Sequence, residues 1–181
     1  MDKKRTQAKT TKKDDLHIGL SAILESTKDE YKYLQEAKNS LHTRAGILIA
    51  LLTALVSASF IKEPIGFVEL FKTNLFLAHF KLISLILLLL SFLFSLVNYI
   101  RIFFTREFQV FNYENFTQHN EEEIARLNSN TIIIAIYKEY ARCIKNNETK
   151  FSMMINSYKK GNVWLIATII FTIISILISL I

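Results

Sequence analysis

Few residues in this 181-residue chain could do chemistry, and their spacing excludes most of it. Cys143 is the single cysteine, so an internal disulfide is excluded. His17, His42, His79 and His119 include no pair three or four apart, the spacing that turns two imidazoles toward one metal ion on a helix. With neither a Gly-rich phosphate loop nor an orientable Ser/His/Asp set, the chain reads as no enzyme, with no catalytic residue and no metal. Charge remains. Arg101, Arg106, Arg126, Arg142 and Lys145 are the cations nearest helical segments and are candidate phosphate contacts. The same five fit a plainer role as positive charges retained on the cytoplasmic side of a membrane.

The net charge of +6 has a related explanation. Lys3, Lys4, Arg5, Lys9, Lys12 and Lys13 are mixed with Thr and Gln and carry no interleaved aromatic for stacking on bases. Residues 1–15 therefore read as a disordered basic tail near anionic lipid, and nucleic acid is not an expected partner.

The elements that must position these groups are apolar. Residues 45–61, 82–100 and 163–181 contain no Asp, Glu, Lys or Arg. Crossing ~30 Å of hydrocarbon takes roughly 20 helical residues, so each run is long enough to span. The fold expected is an all-α membrane protein with three transmembrane helices. A cytoplasmic amphipathic helix over 16–44 leads into the first span (45–61), and an external connector (62–81) follows. The second span (82–100) leads into a cytoplasmic helical region (101–160), then the third span (161–181). No signal peptide is expected ahead of the first apolar run.

Orientation follows from Lys and Arg, which number ten in 1–44, three in 62–81 and nine in 101–160. The amino terminus and the long loop should lie in the cytoplasm, and the carboxyl terminus at the outer face. The connector holds Lys62-Glu63-Pro64-Ile65-Gly66, a turn, followed by Phe67, Phe71, Phe76 and Phe80, with Lys81 snorkelling where span two begins. Asn115-Phe116-Thr117 and Asn147-Glu148-Thr149 match glycosylation acceptors, which carry no meaning on a cytoplasmic segment.

The most specific pattern is a seam at alternating steps of four and three: Ile133, Tyr137, Tyr140, Ile144, Asn147, Phe151, Met154 and Tyr158. Such spacing keeps one stripe facing a partner helix, and a lone Asn in it fixes register at a cost in stability. The same steps cross Gly161 and reach Leu165, Thr168, Thr172, Ser175 and Ser179, which predicts one helix from cytoplasm into membrane. Small and hydroxylic residues suit helix contacts in lipid, where the hydrophobic drive between helices is gone. Gly46, Ala50, Ala54 and Ala58 form a second small stripe for span packing, and Ser84, Ser91, Ser95 and Asn98 a third. Two readings stay open: the stripes pack one subunit, or they serve a homo-oligomer in which hydroxyls line a water-filled path.

This layout resembles the Pycsar transmembrane effectors of bacteria, and other small membrane effectors of nucleotide-triggered defence share parts of it. The resemblance rests on His42-Thr43-Arg44-Ala45 at the entry to span one, and on Lys150-Phe151, Ser157-Tyr158 and Gly161 before span three. His42 departs from it, standing where that family carries an acidic residue. The resemblance implies an antiphage effector of the bacterial inner membrane. A cytoplasmic region would bind a cyclic pyrimidine mononucleotide, the only ligand implied, and the spans would then disrupt the bilayer. The alternative is a constitutive membrane anchor or assembly subunit that binds a partner protein through its cytoplasmic coiled-coil helix.

Overall fold

The computed structural model describes residues 2–61, 75–105, 107–112 and 128–179. Three helices carry the fold: α1 (Asp2–Ile61), α2 (Leu75–Phe103) and α3 (Ser129–Ser179). All three are long and apolar enough to cross a membrane. The Pro64-Gly66 turn, with Phe67 and Phe71, falls outside the described residues.

Helix boundaries differ from the sequence reading in two places. α1 starts at Asp2 and so takes in the basic stretch expected to be a disordered tail. That stretch, residues 1–15, contains neither Pro nor Gly, so nothing in it breaks a helix. α2 begins at Leu75, seven residues ahead of the charge-free run, because one Lys does not interrupt a helix. Lys81 shares the inward face with Ala78, Ser84 and Leu88, and it is 1% exposed rather than snorkelling outward. α3 is unbroken through Gly161, as expected.

The chain divides into two compact units. A polar unit takes Met1–Lys38 and Glu107–Lys150, and an apolar unit takes Asn39–Arg106 and Phe151–Ile181. α1 and α3 each continue from one unit into the other without a break. In the polar unit Leu24, Thr27 and Leu34 of α1 are buried, as are Phe108 and the α3 residues Cys143, Ile144 and Asn147. In the apolar unit Leu41, Ala45, Leu52 and Val56 supply the α1 side.

The contact of α2 with α3 in the apolar unit depends on small residues. A Cβ on Gly161 would lie 2.7 Å from Tyr99 Cε1, so only glycine admits the tyrosine ring there. Ser95 donates to the Gly161 carbonyl at 2.9 Å, and the Tyr99 hydroxyl donates to Asn162 Oδ1 at 2.6 Å. Thr168 Oγ1 lies 3.1 Å from Ser91 Oγ and 2.9 Å from its own helix at Trp164 O. Thr172 bonds back to Thr168 O, and Asn98 to Phe94 O. In this arrangement the hydroxyl stripes join helix to helix or satisfy their own backbone, the use expected of such groups where water is absent.

Candidate functional site

Residues 107–112 form a segment without regular secondary structure that bonds to both α1 and α3 in the polar unit. Phe108 is buried, 5% exposed, whereas Val110 two residues on is 70% exposed, so the segment does not follow the two-residue period of a strand. Asn147, which is fully buried, faces the middle of this segment. Its Oδ1 accepts from the Gln109 amide at 2.7 Å and its Nδ2 donates to the Gln109 carbonyl at 3.0 Å. One carboxamide thus takes the place a neighbouring strand would have, matching donor and acceptor of a single residue.

Other side chains complete the clamp. The Tyr31 hydroxyl accepts from the Phe111 amide at 3.3 Å and reaches the Gln109 carbonyl at 3.4 Å. Gln35 Nε2 donates to that hydroxyl and so fixes it from within α1. Lys150 Nζ donates to the Glu107 carbonyl at 2.6 Å, and Asn146 Nδ2 to Gln109 Oε1 at 2.6 Å. Phe111 stacks on Tyr140 with centroids 4.3 Å apart, and Tyr31 meets Tyr140 edge-on at 5.4 Å. The Lys38 ammonium sits over the Phe108 ring, 4.8 Å from its centroid. The clamp holds the backbone at Glu107, Gln109 and Phe111 and the rings of Phe108 and Phe111.

Burial sets the electrostatics around the clamp. It pushes the Tyr140 hydroxyl up from its ordinary pKa, helped by Tyr31 and Cys143. It also pushes the Cys143 thiol up, with the Glu139 carboxylate adding to the shift and Arg142 opposing it. A buried thiol held neutral is unreactive, so Cys143 is a core residue here.

Most of the seam singled out in the sequence faces its own chain. Ile144, Asn147, Met154, Thr168, Thr172 and Ser175 are buried, and Ile133, Tyr140, Phe151 and Tyr158 are half-buried. Tyr137 is exposed, and the side chain of Ser179 lies outside the described residues. Gly46, Ala50, Ala54 and Ala58 turn outward, and nothing comes within 4 Å of a Cβ built on Gly46. Among the described residues that small stripe is exposed.

Three of the five candidate phosphate contacts lie among the described residues. Arg101 is exposed in the apolar unit. In the polar unit Arg142 pairs with Glu139 at 2.5 Å and Lys145 is exposed. Arg106 and Arg126 fall outside the described residues. His42 packs against Phe103, ring centroids 5.1 Å apart, and Tyr158 lies 6.0 Å from Tyr99. No group of His, Cys, Asp or Glu able to hold a metal occurs among the described residues.

The sequence reading missed the segment 107–112 and its partners Tyr31, Gln35 and Lys38. No periodic signal marks it, since Phe108 and Val110 are both apolar two residues apart and only Phe108 is buried. Compared with protein-family models, curated proteins and solved structures, the chain matches none.

Proposed function

We propose that this protein is a membrane-disrupting or pore-forming effector of bacterial antiphage defence, seated in the inner membrane with its amino terminus cytoplasmic. Its polar unit is the cytoplasmic sensor of a cyclic nucleotide, a cyclic pyrimidine mononucleotide by the resemblance noted above. The observation that carries this reading is the continuity of α1 and α3 from the polar unit into the apolar unit. A helix without a hinge passes a shift or rotation along its length instead of absorbing it. Two such helices tie the polar unit to segments long and apolar enough to span.

Assembly is the second part of the proposal. Gly46, Ala50, Ala54 and Ala58 form an outward stripe on α1, and small residues allow close backbone approach between helices in lipid. Copies meeting along this stripe then impair the bilayer.

Binding is tested on the full chain in nanodiscs by thermal unfolding with a panel of cyclic purine and pyrimidine mononucleotides. A ligand of the folded state raises the melting temperature in proportion to the logarithm of its concentration. A saturable rise with one nucleotide supports the sensor; a flat response to the whole panel removes the nucleotide trigger. Co-purification of a stoichiometric second protein from the native membrane would instead favour the anchor subunit.

A further inference from the structure

We infer that Lys38 and Lys150 form a phosphate-binding site within the polar unit, taking the phosphate of a free nucleotide or of a phospholipid headgroup. The inference deepens the sensor reading above, on which its nucleotide source rests.

The register of the two helices comes first. On α1, Leu34, Lys38 and Leu41 follow one another at steps of four and three, and on α3 Asn147, Lys150 and Met154 follow at three and four. The outer members of both triplets are buried and each lysine between them is half-buried, so each lysine stem lies on the inward face of its helix. The two ammonium groups then reach consecutive residues of one segment. Lys150 Nζ donates to the Glu107 carbonyl at 2.6 Å, and Lys38 Nζ stands 4.8 Å from the centroid of the Phe108 ring.

Neither charge is neutralised there. Lys150 meets a neutral carbonyl and Lys38 an aromatic face, and among the described residues neither is paired with a carboxylate. Glu107 offers Lys150 its backbone while its side chain is exposed. Two half-buried like charges repel, and charges withdrawn from water are ordinarily paired. Each ammonium carries three N–H donors, of which Lys150 spends one on Glu107. A phosphate supplies both the missing negative charge and several acceptor oxygens. Lys38, Glu107 and Lys150 are also the residues at which the chain leaves or enters the polar unit. Phosphate reaches such a place from two sources, a soluble nucleotide or a headgroup.

The test is thermal unfolding of the full chain in nanodiscs of zwitterionic lipid, with inorganic phosphate compared against chloride at constant ionic strength. Phosphate should raise the melting temperature, and Lys38→Met with Lys150→Met should abolish the rise. That double variant keeps both apolar stems and removes two charges, so without phosphate it should melt no lower than wild type. Discs of phosphatidylglycerol supply the headgroup arm, where a rise that needs both lysines supports the site with lipid as the source. If neither arm gives a rise that exceeds chloride and needs the lysines, the proposal is overturned. Should the variant fail to fold, amine acylation of the wild-type protein decides. Phosphate or phosphatidylglycerol should slow labelling of Lys38 and Lys150 several-fold relative to the exposed Lys145, and uniform labelling would overturn the site. A flat response to cyclic nucleotides beside a lysine-dependent response to phosphate supports the site and removes the nucleotide trigger alone.

Discussion

Asn147 holds both the amide and the carbonyl of Gln109, at 2.7 and 3.0 Å, from a fully buried position on α3. A polar residue at that depth is tolerated because its hydrogen-bonding groups are matched to one backbone unit.

Replacing Asn147 with Leu should therefore cost about 1–3 kcal/mol, since it strips partners from the Gln109 backbone. Asn147→Asp should cost at least as much, because it sets a carboxylate at a fully buried position against the Gln109 carbonyl, which loses its donor. Chemical denaturation in detergent micelles measures both, and equal stability of all three proteins would contradict the clamp.

Gly161→Ala should destabilise the packing of α2 on α3 by roughly 1–3 kcal/mol, the usual range for overpacking. The added methyl would lie within 2.7 Å of the Tyr99 ring and displace the hydroxyl bonded to Asn162. Combining it with Tyr99→Leu should recover much of the loss. Absence of recovery would show that the ring is not the obstacle.

The polar unit should weaken at alkaline pH. Burial holds the Cys143 and Tyr140 pKa values above their ordinary 9.0 and 10.0. The folded state then retains protons that the unfolded state gives up, so stability falls as pH rises past those ordinary values. Thiol alkylation should be slow in the native protein near neutral pH and fast after denaturation. Rapid native labelling at neutral pH would contradict a buried, neutral thiol.

Gly46→Leu should leave the stability of a single copy within about 0.5 kcal/mol, because it replaces an outward residue with nothing near its Cβ. Association measured by energy transfer between labelled copies should drop. Unchanged transfer would remove this stripe from assembly.

The three helices were legible because charge-free runs near 20 residues leave a membrane-spanning helix few competitors. Their ends were less so. Counting charges stops at Lys81, yet its place on the face of Ala78 and Ser84 turns it inward and lets α2 begin at Leu75. Asn147 was legible as the polar member of a seam, and the natural inference was a facing helix. Its actual partner is Gln109, in a stretch where six residues gain their conformation from Tyr31 and Asn147 rather than from any propensity of their own. Non-local side-chain clamps leave no periodic trace, which is why Tyr31 looked like one more apolar position of α1. The outward turn of Gly46, Ala50, Ala54 and Ala58 was equally hidden, since a small stripe reads the same whether it packs within a chain or between chains.

The most direct measurement is the membrane potential of proteoliposomes containing the full-length protein, followed with a voltage-sensitive dye as cyclic nucleotides are added to the face that carries the polar unit. A gated membrane effector predicts that the potential holds without nucleotide and collapses with a cyclic pyrimidine mononucleotide, and that Gly46→Leu blunts the collapse. A potential that persists with every nucleotide, in vesicles where the protein is inserted and folded, would contradict it.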